Sequence, residues 1–126
     1  MEEREVAFFV DNDSDFLETV SCAIQHPRFD IITCHSENGY RAIDEIIRVK
    51  PDVLFIDFNL PRANGGQIIS ILKSVRFLSN VSIYFMTGYP KERILPFLKD
   101  VDHEKVLFKG PSLKEDILKI LEERAA

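Results

Sequence analysis

Asp57 is the residue whose type and position most clearly suggest chemistry. It ends the apolar run 53–56 and opens the segment 57–66, which is rich in turn-forming Pro, Asn and Gly. An apolar run of this length followed by turn residues is typical of a buried strand, here one that ends on an exposed carboxylate. Open α/β sheets build their sites at the carboxyl ends of strands. Asp57 is therefore the first candidate for a site residue.

Further polar residues follow the other apolar runs. Asp11 and Asn12 come after the first run, Thr87 after the fourth and Lys109 after the fifth. If the strands are parallel, their carboxyl ends share one edge of the sheet, and these side chains converge on Asp57. Carboxylates that hold a hard divalent cation, beside a hydroxyl and an ammonium that bind anionic oxygens, suit phosphoryl transfer to a nucleophilic carboxylate.

The elements that must position these residues alternate along the chain. Five short apolar runs predict strands buried on both faces, at 6–10, 30–34, 53–56, 81–86 and 106–108. Apolar residues at helical spacing follow each run. These are Phe16, Leu17, Val20 and Ile24; Ala42, Ile43, Ile46 and Ile47; Ile68, Ile69, Leu72 and Val75; Ile94, Leu95 and Leu98; and Leu113, Ile117, Leu118 and Leu121. The alternation predicts an α/β protein with a parallel sheet and helices on both faces.

Local signals mark the helix ends. Asp13 and Asn38 are placed to cap the first and second helices. Ser112, with Glu115 three residues later, predicts a capping box at the start of the last helix. Pro96 falls inside the fourth helical pattern and should kink or shorten that helix.

Composition limits the class of protein. The chain has 126 residues and a net charge of −5, which predicts one domain without the basic face of a nucleic-acid-binding protein. No apolar run is long enough for a membrane span, and the acidic N-terminus lacks a signal-peptide core. Cys22 and Cys34 lack CxxC spacing and are interpreted as two buried free thiols of a cytoplasmic protein. His26, His35 and His103 lack metal-ligand spacing.

Taken together, the pattern resembles the receiver domain of bacterial response regulators over essentially the whole chain. The matching pieces are Phe9-Val10-Asp11, Asp57-Phe58-Asn59-Leu60-Pro61 with Asn64-Gly65, Met86-Thr87-Gly88, and Phe108-Lys109. The resemblance implies a doubly wound, flavodoxin-like (βα)5 fold with strand order 2-1-3-4-5. It also implies a single receiver domain over residues 1–126, without an effector domain.

The resemblance implies a role for each matching residue. Asp57 would accept a phosphoryl group from a sensor histidine kinase or a histidine phosphotransfer protein, and Thr87 and Lys109 would bind the phosphoryl oxygens. The implied Mg²⁺ ligands are Asp11, Asn12, Asp57 and the backbone carbonyl of Asn59. The phosphorylated form would signal by binding a downstream protein, which the sequence does not name.

Three positions depart from the family pattern. Asn12 stands where the family usually has a second acid, so we expect weaker Mg²⁺ binding and slower phosphorylation. Lys109-Gly110-Pro111 replaces the usual Lys-Pro. Val106 replaces the aromatic residue that usually precedes the lysine by three positions, which predicts a different or weaker coupling between Thr87 and the outer surface.

Three other functions are alternatives to this one. The main alternative is a receiver-like module that is not phosphorylated and acts only by binding proteins. A phosphohydrolase with an aspartate nucleophile would need a second acid two residues after Asp57, where the chain has Asn59. A flavodoxin-like electron carrier would share the fold, but the segment Asp11-Asn12-Asp13 would repel a flavin phosphate.

Overall fold

A five-stranded parallel sheet forms the centre of the molecule. The computed structural model describes residues 4–75, 80–97 and 105–126. The strands of the main sheet are β1 (Glu5–Asp11), β2 (Phe29–His35), β3 (Val53–Asp57), β6 (Ser82–Thr87) and β7 (Val106–Phe108); β4 (Asn59–Leu60) and β5 (Ala63–Asn64) form a separate small hairpin. The main order is β2-β1-β3-β6-β7. Without the hairpin this is the predicted 2-1-3-4-5 order, which is confirmed.

The helices follow the predicted alternation. They are α1 (Ser14–Ala23), α2 (Gly39–Val49), α3 (Gly65–Lys73), α4 (Lys91–Ile94) and α5 (Leu113–Ala125). The helix α4 is a single turn that passes into a 3₁₀ turn at Leu95–Phe97, so Pro96 shortens the helix as predicted. Leu98 and His103 lie outside the described residues. Within the described ranges, no helix has the length and apolar character needed to cross a membrane.

Two hydrophobic cores cover the two faces of the sheet. Phe8 and Val10 of β1 face one core, together with residues of α2, α3 and α4. Ala7 and Phe9 face the other core, together with residues of α1 and α5. The alternation along β1 follows from the two-residue period of a strand, and burial on both faces makes the run continuously apolar.

The prediction that every strand is buried on both faces is wrong for β2. This strand lies at the sheet edge, and only Phe29 among its residues is buried, while Ile32 is exposed. The thiol prediction also fails for Cys22, which is exposed on the outward side of α1. Cys34 of β2 is half-buried, and this burial, followed by the charge of Glu45, raises the pKa of its thiol.

The helix caps are partly as predicted. Asp13 accepts hydrogen bonds from the backbone N–H groups of α1, and Asn38 accepts one from the first turn of α2. The capping box at Ser112 is wrong. Ser112 already has helical backbone angles (φ −90°, ψ −5°), so its hydroxyl makes no cap bond and lies 3.3 Å from Asp116 Oδ2 instead.

The segment after Asp57 is tightly folded. Asn64 and Gln67 form a reciprocal capping box at the start of α3, with both hydrogen bonds at 3.0 Å. Gly65 donates its backbone N–H to the carbonyl of Phe58 at 2.7 Å. A Cβ at Gly65 would overlap the Phe58 ring and lie 3.0 Å from Phe85 Cε1, so only glycine allows this approach.

We predict that Gly65→Ala destabilises the protein by about 1–3 kcal/mol, because the buried Phe58 ring must shift within a packed core. Gly110→Ala is the matched control, since a Cβ there meets nothing within 4 Å. Urea denaturation of the two variants measures the difference. Equal transition midpoints for Gly65→Ala and Gly110→Ala would contradict the packing argument.

Candidate functional site

The strand ends bring the predicted site residues to one edge of the sheet. Asp11 is the last residue of β1, Asp57 of β3 and Thr87 of β6, and Lys109 directly follows β7. All four strands are parallel in the register of the main sheet, so their carboxyl ends lie side by side. Asn12, in the turn after β1, is exposed.

A lysine and two carboxylates form the centre of this edge. Lys109 Nζ lies 2.7 Å from Asp11 Oδ2 and 3.8 Å from Asp57 Oδ2. Asp11 and Thr87 are fully buried, and the expectation of an exposed Asp57 is wrong, because only 6% of this residue is exposed. The hairpin β4–β5 and the start of α3 follow Asp57 immediately. The carboxylate is therefore recessed within the edge.

The surroundings make Asp57 harder to ionise. Burial raises the pKa of its carboxyl group, and the neighbouring charge of Asp11 raises it further. The Lys109 ammonium and the backbone N–H of Asn59, which donates to Asp57 Oδ1 at 3.1 Å, oppose this effect without cancelling it. The Asp57 carboxylate therefore binds a proton more readily in the folded protein than an ordinary aspartate does.

The two oxygens of Asp11 have different partners. Oδ1 accepts the backbone N–H of Asp13 at 2.9 Å. Oδ2 is buried and accepts no well-directed hydrogen bond within the described residues, but the Lys109 ammonium 2.7 Å away compensates its charge. This short ion pair is the relevant contact, because Coulomb attraction does not require the strict angles of a hydrogen bond. Asp11 Oδ2 is thus paired with the Lys109 ammonium, and a second cation would have to displace that ammonium to reach it.

The donor set suits an oxygen-seeking divalent cation of modest affinity. Within the described ranges, no three His, Cys, Asp or Glu side chains group as a metal site. The carboxylates of Asp11 and Asp57 could supply charged donors to such a cation, and the Asn12 amide and the Asn59 carbonyl could supply neutral oxygen donors. Hard cations such as Mg²⁺ take oxygen ligands, and fewer charges lower the affinity.

Backbone contacts fix Thr87 at the site edge. Its hydroxyl oxygen accepts the backbone N–H of Tyr89 at 3.1 Å. Its carbonyl accepts the backbone N–H of Lys109 at 2.7 Å, which joins the ends of β6 and β7. The hydroxyl proton is directed by neither contact and remains available to donate to an anion in the site.

Val106 and Gly110 depart from the receiver-domain pattern, and Tyr89 follows Thr87 in the chain. Val106 is buried in the core that includes Ile94 of α4. Tyr89 has 45% of its surface exposed, and the Arg93 guanidinium lies 5.1 Å from its ring centroid. The peptide bond between Gly110 and Pro111 is trans. Two exposed aromatic residues therefore lie beside Thr87: Tyr89, two residues later in the chain, and Phe108, which pairs with Thr87 in the register of β6 and β7.

Two neighbours of the site were missed by sequence reasoning. The Phe16 ring centroid lies 4.5 Å from Lys109 Nζ, although the helical stripe assigned Phe16 only to the core. His35 Nε2 lies 3.0 Å from the backbone carbonyl of Asn12. The parallel register of Asp11 with His35 brings this contact about, and a search of the residues opposite the ends of the strands would have found it.

Comparison with known proteins finds one family and several similar chains. The family model described as the response regulator receiver domain matches residues 7–122. An uncharacterised response regulatory protein of Yersinia pestis is 32% identical over 95 residues, which are 69% of this chain and 39% of that protein. The chain thus spans well under half the length of this relative.

Solved structures show the same fold. The receiver domain of the response regulator NarL from Mycobacterium tuberculosis superposes with a TM-score of 0.78 at 18% identity, covering 98% of both chains. The chemotaxis response regulator CheY4 of Vibrio cholerae gives a TM-score of 0.76 at 21% identity, covering 95% of this chain and 98% of that one.

We predict that Asp57→Asn raises the melting temperature at neutral pH, because it removes a buried charge beside Asp11 and keeps an acceptor for the Asn59 N–H. A gain of 1 kcal/mol corresponds to roughly 4 °C. Since the folded pKa of Asp57 is raised, ionisation costs stability as pH rises from the ordinary value of 3.8 through the folded pKa. The gain should therefore be full above that window and shrink below it.

Thermal melts of the unmodified protein and the variant between pH 3 and 8 test this prediction. Asp44→Asn, at an exposed position of α2, is the control and should change stability by less than about 0.5 kcal/mol. A melting temperature of Asp57→Asn at or below that of the unmodified protein at pH 7 would show that the Lys109 contact outweighs the burial of Asp57.

Proposed function

The chain belongs to the response regulator receiver domain family of two-component signalling, and we propose that it accepts a phosphoryl group on Asp57. The donor is the phosphohistidine of a sensor histidine kinase or a histidine phosphotransfer protein in the cytoplasm. The observation that carries the proposal is the recessed Asp57 carboxylate flanked by Asp11, Lys109 and Thr87.

Asp57 acts as the nucleophile in this proposal. A carboxylate oxygen forms a bond to phosphorus while the bond from phosphorus to the donor's histidine nitrogen breaks, and the imidazole leaves with the electron pair. The product is an acyl phosphate.

Lys109 and Thr87 bind the transferred group. The Lys109 ammonium needs to move only a short way to reach phosphoryl oxygens, since it already lies 3.8 Å from Asp57 Oδ2. The Thr87 hydroxyl donates its proton to another of these oxygens. Fixed donors aimed at developing charge are an effective means of stabilising such a transition state.

Asp11, Asp57 and the backbone carbonyl of Asn59 are the proposed ligands of Mg²⁺, with the Asn12 amide as a weak fourth. Bound there, Mg²⁺ offsets the repulsion between the carboxylates and the incoming phosphoryl group. Asp13 is not included among these ligands, because its Oδ1 accepts two N–H groups of α1 and this holds the side chain as the helix cap.

The proposed output is binding of a partner protein by a single receiver domain over residues 1–126. Phosphorylation adds about 1.5 to 2 negative charges beside Asp11. Thr87 then turns towards the phosphoryl group and biases the surface around β7 and its flanking helices. Val106 gives this route no aromatic side chain, and the exposed aromatic neighbours of Thr87 that can respond to its movement are Tyr89 and Phe108.

The alternative is a receiver-like module that binds proteins without phosphorylation. Asn12 favours it, because a neutral amide in place of an acid weakens the metal site. The short ion pair between Lys109 and Asp11 favours it too, since it occupies the carboxylate oxygen that a cation needs.

Incubation with acetyl phosphate separates these functions. We expect a mass gain of one phosphoryl group that requires Mg²⁺ and is lost in Asp57→Asn, measured on the intact protein. An ordinary receiver domain in the same buffer is the positive control. If that control is labelled and this protein is not, even by a kinase-driven phosphohistidine donor, the binding module is the correct function.

We also predict that Asn12→Asp tightens Mg²⁺ binding tenfold or more and speeds labelling by acetyl phosphate. A unit charge about 4 Å from a divalent cation contributes about 2 kcal/mol even at the dielectric constant of water. Isothermal titration calorimetry measures the affinity. Asn80→Asp, an exposed residue that precedes β6 at the opposite edge of the sheet, adds the same charge as a control. Equal gains in both variants would indicate a general charge effect.

A further inference from the structure

Phe16 presents an aromatic face to the Lys109 ammonium. The residue is the third of α1, is partly buried and packs against the core beneath that helix. Lys109 Nζ lies over the ring, 4.5 Å from its centroid. The backbone N–H of Phe16 donates to Asp13 Oδ1 at 3.2 Å, so the helix cap that follows Asp11 also fixes the position of the ring.

The ammonium thus has two close contacts. It lies 2.7 Å from Asp11 Oδ2 and 4.5 Å from the centroid of the Phe16 ring, whereas Asp57 Oδ2 is 3.8 Å away. The quadrupole of an aromatic ring attracts a cation over its face, and partial desolvation strengthens the attraction. Only 23% of the Lys109 side chain is exposed, so little water competes with the ring.

We infer that Phe16 is a positioning residue, which holds Lys109 on Asp11 and thereby sets how readily a divalent cation binds that carboxylate. The inference rests on the proposed function, because it concerns the metal step of the same site. Asp11 Oδ1 is engaged by the Asp13 N–H, and Oδ2 is engaged by Lys109. A cation that binds Oδ2 must displace the ammonium, and the attraction of the ring opposes that displacement.

Two substitutions of Phe16 distinguish the attraction between the aromatic ring and the ammonium from the apolar packing of the side chain. Leucine fills much of the same space against the neighbouring core but has no face that attracts a cation. Tyrosine keeps the face, and the partly exposed position leaves room for its hydroxyl. Phe16→Leu and Phe16→Tyr are therefore a matched pair that differ in the interaction at issue.

The test is the Mg²⁺ dissociation constant of the full chain by isothermal titration calorimetry. We expect Phe16→Leu to bind Mg²⁺ about two- to fivefold more tightly than the unmodified protein, and Phe16→Tyr to bind it with unchanged affinity. Unchanged affinity in Phe16→Leu, or equal gains in both variants, overturns the inference. So does the absence of Mg²⁺ binding in the unmodified protein and Phe16→Leu alike.

A double-mutant cycle shows whether Phe16 acts through Lys109. Lys109→Met removes the competing ammonium and should itself tighten Mg²⁺ binding. If the inference is correct, adding Phe16→Leu to Lys109→Met has no further effect. The same two- to fivefold gain in both backgrounds would mean that Phe16 acts by another route, and the positioning role would be rejected.

Nuclear magnetic resonance tests the geometry without any metal. The ε-methylene protons of Lys109 should show an upfield ring-current shift that is kept in Phe16→Tyr and lost in Phe16→Leu; no such shift overturns the placement. Failure of the proposed function would appear differently, as no phosphoryl uptake by a protein whose Mg²⁺ affinity still responds to Phe16→Leu. Normal uptake with an unresponsive affinity would refute the inference alone.

Discussion

The sharing of one lysine between two buried carboxylates is the constraint on which the site depends. Lys109 compensates Asp11 directly at 2.7 Å and Asp57 only partly at 3.8 Å. Asp57 therefore carries the residual cost of charge burial, which appears as its raised pKa. Parallel strands make this possible, because their carboxyl ends lie side by side and bring residues that are far apart in the chain to one edge. The two packed cores keep the strands in register and hold the carboxylates together against their repulsion.

Much of the fold was predictable because burial on both faces leaves a direct trace in the sequence. β3 is apolar throughout up to Asp57, and the alternation of strands and helices predicts its parallel neighbours. The failures concern properties that a single segment does not determine. The exposure of β2 follows from its place at the sheet edge, which is a property of the whole order. The prediction of a capping box at Ser112 was wrong because capping depends on the backbone angles, and those of Ser112 are already helical.

The sequence predicts which residues form the site better than it predicts which of them contact one another. Asp11, Asp57, Thr87 and Lys109 meet because each ends or follows a parallel strand, a position that the sequence reveals. The choice of Asp11 over Asp57 as the closer partner of Lys109 depends on the path of the lysine side chain beside α1. The sequence has no signal for this path, since Phe16 looks like any other apolar residue of an amphipathic helix.

Asn12 and Lys109 together set the net charge at this edge of the sheet, which is less negative than in the receiver pattern with a second acid. With an acid in place of Asn12, three carboxylates would face one ammonium, and a divalent cation would be needed to relieve their repulsion. With Asn12, the two carboxylates of Asp11 and Asp57 and the one ammonium of Lys109 leave a single net negative charge. The attraction that recruits a cation falls with that charge, while the competition from Lys109 remains. If the proposed function holds, the metal site, more than the nucleophile, is therefore where this chain departs from the receiver pattern that its sequence resembles.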